Sequence, residues 1–119
     1  LKDKVGEGET LDNIGLSYYG KQEDKKALEI FQQALIIRRE VKDQIGEGKT
    51  LSNLGALYVY MPEHSAKALD TLQQALTIQQ KLGDEFQAGI TLRRIGGFYS
   101  QKKDYTRALD WYEKALAVS

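Results

Sequence analysis

An all-α repeat fold follows from three observations on this chain. One phrase recurs at intervals of about 40 residues: Leu11-x2-Ile14-Gly15-x2-Tyr18, Leu51-x2-Leu54-Gly55-x2-Tyr58 and Leu92-x2-Ile95-Gly96-x2-Tyr99. Each copy is followed by a second phrase: Ala27-Leu28-x2-Phe31-x2-Ala34-Leu35, Ala68-Leu69-x2-Leu72-x2-Ala75-Leu76 and Ala108-Leu109-x2-Tyr112-x2-Ala115-Leu116. Within both phrases the apolar residues fall three and four apart, the spacing of a helix face, and no alternating run suggests a strand. Self-similarity at a fixed period indicates stacked units, each burying its apolar face only against its neighbours. The expected architecture is three antiparallel helix hairpins, six helices, with units at residues 3–42, 43–83 and 84–119.

The first helix of each unit is expected to start at Asp3, Asp43 and Asp84. An aspartate before an apolar-periodic segment caps the orphan N–H groups of the first turn. In the first unit that helix should run to about Tyr19, with Gly20 as a left-handed stop. In the second unit Pro62 marks the turn and one extra residue lengthens it. Second helices are expected from about Asp24, Ser65 and Asp104, with apolar faces at Leu28, Phe31, Leu35 and Ile36 and at Leu69, Leu72, Leu76 and Ile78. Six of the eleven glycines sit at fixed places in the first helices: Gly8, Gly48 and Gly89, then Gly15, Gly55 and Gly96. A mid-helix glycine costs about 1 kcal/mol relative to alanine. Its recurrence implies close helix–helix approach, with Ala27, Ala68 and Ala108 as the matching small residues.

Totals narrow the function. The 119 residues suit one domain, and 17 basic residues balance 17 acidic ones. A neutral chain has no overall field for phosphate backbones or anionic membranes, so neither nucleic acid nor membrane is an expected partner. No apolar run approaches the roughly 18 residues of a membrane span. The chain has no cysteine, which removes disulfides, thiol nucleophiles and thiolate metal sites and fits a cytoplasmic protein. No phosphate loop, metal-ligand cluster or nucleophile–base pair can be assembled. The chain therefore reads as a non-enzyme with no cofactor. His64, the single histidine, falls in the Pro62 turn and reads as an exposed turn residue.

The repeated pattern resembles the tetratricopeptide repeat over essentially the whole chain. Two features depart from it. Leucine (Leu11, Leu51, Leu92) stands where the family has tryptophan, and the period is about 40 rather than about 34, without the usual proline. The longer period is similar to that of kinesin light chains, Pins-type adaptors and bacterial signalling arrays. The resemblance implies a right-handed superhelix, a concave groove lined by the first helices, and protein or peptide binding. Leu1-Lys2 aligns with Leu82-Gly83, and the chain ends inside the last second helix, so the array reads as part of a longer one.

The stripe opposite the packing face is Glu9, Asp12, Asn13, Leu16 and Tyr19 in the first unit. In the second it is Lys49, Ser52, Asn53, Ala56, Val59 and Tyr60, and in the third Ile90, Arg93, Arg94, Gly97 and Ser100. The resemblance places this stripe in the groove. Asn13, Asn53 and Arg94 are equivalent positions, and an asparagine ladder could hold a peptide backbone. Arg93 and Arg94 could fork onto ligand carboxylates. Glu9 and Asp12 at one end, Lys49 in the middle and Arg93 and Arg94 at the other give the groove a direction. The family's clamp for a C-terminal carboxylate is matched only at Asn53 and Arg94. Asp12 stands where a cation is needed, which argues against that mode. A structural spacer is the rival reading. Uncapped terminal units suggest end-to-end self-association through the first helix and the Trp111 helix.

Overall fold

A computed structural model describes residues 3–118. The chain forms α1 (Lys4–Gly20), α2 (Asp24–Glu40), α3 (Gln44–Val59), α4 (Ser65–Leu82), α5 (Glu85–Gln101) and α6 (Tyr105–Ala117), with no strand among the described residues. These pair as hairpins α1–α2, α3–α4 and α5–α6, and successive hairpins stack, α3 against α2 and α5 against α4. The result is the expected all-α hairpin stack. Leu1, Lys2 and Ser119, on which the reading of the chain ends partly rests, lie outside the described residues.

The aspartate caps form as expected. Carboxylates of Asp3, Asp43 and Asp84 accept from the N–H groups of Gly6, Gly46 and Gln87. Asp104 does the same for Arg107. Three of these aspartates also close the preceding helix. The N–H groups of Asp43, Asp84 and Asp104 donate to the carbonyls of Arg38, Gln79 and Tyr99, each at 2.9 Å. One residue thus ends one helix and starts the next, which is why the turns need so few residues.

The left-handed residue in these turns is not where glycine stands in the first unit. Gly20 remains helical, and Gln22 (φ 63°) makes the turn, as Lys42 (φ 58°) and Lys103 (φ 63°) do later; only Gly83 (φ 70°) is a glycine. Glu23 N–H donates to the Tyr18 carbonyl at 2.9 Å. That bond fixes the left-handed position one residue before Glu23, whatever side chain occurs there.

The recurring glycines are contact points. A Cβ on Gly15 would lie 2.5 Å from Phe31, on Gly55 2.5 Å from Leu72, and on Gly96 2.6 Å from Tyr112. The alanines at positions 27, 68 and 108 are buried as expected, but the residue seated on each glycine is the large one a turn later. Phe31, Leu57, Leu72 and Ile95 form the enclosed core. Ile14 is 40% exposed while its equivalents Leu54 and Ile95 are buried in the core. Ile36, assigned to an apolar face, is exposed.

Candidate functional site: the groove and the polar joints behind it

Sequence equivalence places Asp12, Ser52 and Arg93 at one site of the repeat, Thr50 and Thr91 at another, and Arg38 and Gln79 at a third. The fold brings Asp12, Thr50 and Arg38 together at the first hairpin junction and Ser52, Thr91 and Gln79 at the second. At the first junction Arg38 donates to Asp12 at 2.7 Å, and the Thr50 hydroxyl donates to the same carboxylate at 2.9 Å. Arg38 also holds Asp43 at 2.7 Å and Glu9 at 3.3 Å. At the second junction the Thr91 hydroxyl lies 2.7 Å from Gln79 Oε1 and 3.0 Å from Ser52 Oγ. The two joints share a geometry but not a chemistry: one is ionic, the other neutral. Arg94 extends the second joint, donating through Nη1 to Ser52 at 3.0 Å and to Asn53 Oδ1 at 2.9 Å.

These contacts change the reading of the groove stripe. Asp12 is 5% exposed and engaged by Arg38 and Thr50, so it is no open acidic site for a ligand. Asn53 is buried with its carbonyl oxygen committed to Arg94, so the expected ladder of free amides is interrupted at its centre. Glu9 is surface-lying but faces Arg38 and Lys49, the latter at 3.6 Å. Asn13 and Arg93 are exposed, and Tyr60 is 53% exposed. The acidic end expected from Glu9 and Asp12 is therefore spent on internal pairing. The physical cause is that a first helix in a stack has two buried sides, one toward its hairpin partner and one toward the next hairpin, leaving a narrow open face.

Burial and pairing perturb these groups. Loss of solvation pushes the Asp12 carboxyl up, against the pull of Arg38, Thr50 and Asn53. At Asp43 burial also pushes up, but the Gly46 N–H and Arg38 outweigh it and the carboxyl sits below its usual range. Burial would lower Arg38, yet its carboxylates hold the proton more firmly and the net direction is upward. Arg94 goes the other way: burial lowers it, and the neighbouring Arg93 adds repulsion.

The open groove contains a recess of about 340 Å³ lined by Tyr19, Ala56, Val59, Tyr60, Ile90, Arg93, Arg94 and Gly97. Tyr19 and Tyr60 also border a neighbouring recess that carries Asp24. A further, largely apolar recess of about 590 Å³, which shares Ile90 and Arg93 with the groove recess, lies at the α5–α6 end, bordered also by Phe86, Tyr112 and Val118. Trp111, on the last second helix, packs on the core with the Lys114 ammonium 4.2 Å from its ring centroid. His64 is half-buried against Tyr58 rather than exposed. Tyr18, Tyr58 and Tyr99 each lie under a cation from equivalent positions Lys26, Lys67 and Arg107. Among the described residues no group of acidic or histidine side chains could hold a metal, and no helix is long and apolar enough to cross a membrane.

No curated protein matches the sequence. Among solved structures, the TPR domain of Arabidopsis FLU is similar, with 23% identity, 96% of this chain and 95% of that chain covered, and a TM-score of 0.81. Aspartyl phosphate phosphatase F from Bacillus subtilis is similar at 23% identity and a TM-score of 0.87, covering 99% of this chain but 31% of that one. At such identities the likeness is one of fold. A tetratricopeptide-repeat family profile matches residues 7–81, and a second matches residues 91–119. The chain belongs to the tetratricopeptide repeat family, whose fold serves in general as a protein-interaction module and is typically non-catalytic.

Proposed function

We propose that the chain is a non-catalytic module that binds an extended segment of a partner protein in its concave groove. Units 3–42, 43–83 and 84–119 act as the repeats. The observation that carries this reading is the recess at Tyr19, Tyr60, Ile90 and Arg93, which combines exposed aromatic and apolar surface with charge, on helices held rigid by the polar joints. Rigid elements presenting aromatic and arginine side chains are the usual anchors of protein recognition. Asn13, exposed one unit away, remains able to bond a ligand backbone. Asp12 and Asn53 support the groove from behind. The test is a peptide array probed with the native chain and with Tyr60→Ser. Spots captured by the native chain and lost with Tyr60→Ser support groove binding; spots retained unchanged by the variant contradict it.

A second reading, end-to-end self-association, is favoured by one observation. Phe86 is 76% exposed and Tyr112 39% exposed beside the apolar recess at the α5–α6 end. The α1 helix of another copy, with Val5 53% exposed and Ile14 40% exposed, would be the complementary surface. Sedimentation over a concentration series tests it: a weight-average mass that rises with concentration supports association, and a constant monomer mass excludes it.

A further inference from the structure

Within each unit the helices run antiparallel, Gly8 against Arg38 and Gly15 against Phe31 in the first, Gly48 against Gln79 and Gly55 against Leu72 in the second. The start of α1, the α2–α3 turn and the α4–α5 turn therefore share one edge of the stack. At these three places five large apolar side chains are exposed, in the order Val5, Val41, Ile45, Leu82 and Phe86. Val5, Ile45 and Phe86 are repeat equivalents at the second position of α1, α3 and α5, and are 53%, 56% and 76% exposed. Val41 and Leu82 are equivalents at the ends of α2 and α4. The first turn of a helix favours acidic side chains, and valine, isoleucine and phenylalanine are only middling helix formers. The helices themselves thus do not call for large apolar residues there. An exposed apolar row of this kind marks an interaction surface.

Reversed about Ile45, the row remains apolar throughout: Val5 exchanges with Phe86, and Val41 with Leu82. The charges beside it change sign under the same reversal. Glu40 precedes Val41 where Lys81 precedes Leu82, and Lys4 precedes Val5 where Glu85 precedes Phe86. Gln44, before the central Ile45, is neutral. All four charged residues are exposed. Among the described residues Glu40, Lys81 and Glu85 form no ion pair, and Lys4 has a surface contact with Glu7 at 3.8 Å. We propose that this edge docks a second copy of the chain, with a two-fold axis passing beside Ile45. In such an isologous contact Ile45 packs on Ile45 of the second copy, Val5 on Phe86 and Val41 on Leu82. Glu40 then faces Lys81 and Lys4 faces Glu85, each pair occurring twice. The cap carboxylates of Asp3, Asp43 and Asp84 stay bonded to their own helices, and Glu47 near the axis is paired with Arg39 at 3.0 Å. The contact closes on itself and stops at a dimer, unlike stacking through the ends, and it leaves the groove recess uncovered. Phe86 borders both this edge and the apolar end, whereas Ile45 belongs to the edge alone.

The experiment is sedimentation of the whole chain over a concentration series, with amide shifts of a ¹⁵N-labelled sample followed over the same range. The expected mass rises from monomer and levels off at dimer, while the Val41, Ile45 and Leu82 amides move with concentration and the groove amides of Asn13 and Gly97 do not. Ile45→Glu places an acid in a first turn, where a helix accepts it, so the melting temperature holds while the dimer weakens at least about tenfold. Glu40→Lys sets like charges against each other and weakens the dimer by about threefold to tenfold at low salt. Glu40→Lys combined with Lys81→Glu restores it, because the exchanged pair is again complementary. A monomer mass maintained to about 1 mM overturns the proposal. So does a mass that grows past dimer with shifts confined to Phe86 and Val118, which is the signature of end-to-end stacking. A dimer indifferent to Ile45→Glu, or one that the double exchange fails to restore, overturns the two-fold arrangement.

Discussion

Gly55→Ala adds one methyl group to a helix, a change that ordinarily stabilises by up to about 1 kcal/mol through helix propensity. Here the added Cβ would meet Leu72 Cγ at 2.5 Å, Cδ2 at 2.6 Å and the Leu72 backbone nitrogen at 3.2 Å. Apolar carbons rest at about 3.5–4.0 Å, so the Leu72 side chain must shift by roughly 1 Å and the α4 backbone by a few tenths of an ångström. Rotating the Leu72 side chain cannot relieve the contact with its own backbone. Leu72 is fully buried, so neither is there space for it to move into. Overpacking of this kind costs about 1–3 kcal/mol, which exceeds the propensity gain, and the expected net loss is about 1–2 kcal/mol. Gly20→Ala is the internal control. Gly20 is also helical, and nothing lies within 4 Å of the Cβ it would gain. It should gain stability by a few tenths of a kcal/mol up to about 1 kcal/mol. Thermal melts followed by circular dichroism would then move in opposite directions, Gly55→Ala downward by several degrees and Gly20→Ala upward or not at all. A Gly55→Ala melt at or above that of Gly20→Ala would refute the reasoning.

Other expectations follow from the joints and the open end. Arg38→Met leaves Asp12 buried without its cation, and breaking such a pair costs about 3–5 kcal/mol at neutral pH. Because the folded state already holds the Asp12 proton more tightly than the unfolded chain does, this group favours the fold in acid and ceases to do so as pH rises above the ordinary carboxylate range. Urea titrations of Arg38→Met should therefore show a deficit that widens from about pH 4 to about pH 7, and Asp12→Asn in that background should flatten it. Asp43 has the opposite sign: its lowered carboxyl contributes at neutral pH and loses that contribution in acid, so the deficit of Asp43→Asn should shrink as pH falls through the lowered value. A pH-independent deficit in either variant would contradict its assignment. Phe86→Glu should abolish any concentration-dependent mass in sedimentation, since it places a charge on the exposed apolar end.

Much of the architecture was legible because it depends on periodicity. The aspartate caps, the helix pairs and the tight glycines all repeat in register, so one copy checks another. The joints were harder to read. Thr50 reaches Asp12 and Thr91 reaches Ser52 across about one repeat, and linear spacing does not say which flank of a helix faces the next hairpin. The recurrence of threonine at positions 50 and 91, at the same site as Thr10, was a signal of that role. Asp12 and Asn53 looked like groove residues because they are polar, whereas their polarity serves buried hydrogen bonds. Gln22 shows a different limit. A glycine is the default left-handed residue, so Gly20 drew the assignment, but the closing hydrogen bond from Glu23 decided the position. That no carboxylate among the described residues pairs with Arg93 or Arg94 is a property of three-dimensional neighbourhood and leaves no trace in a chain of zero net charge.

The most direct test of groove binding is amide chemical-shift mapping with a peptide taken from the array and titrated into the ¹⁵N-labelled native chain. The account predicts shifts at Asn13, Tyr19, Ala56, Tyr60, Arg94 and Gly97, along the open face of the first helices. Shifts confined to Gln73, Gln74 and Thr77 of α4, or to Phe86 and Val118 at the apolar end, would contradict it.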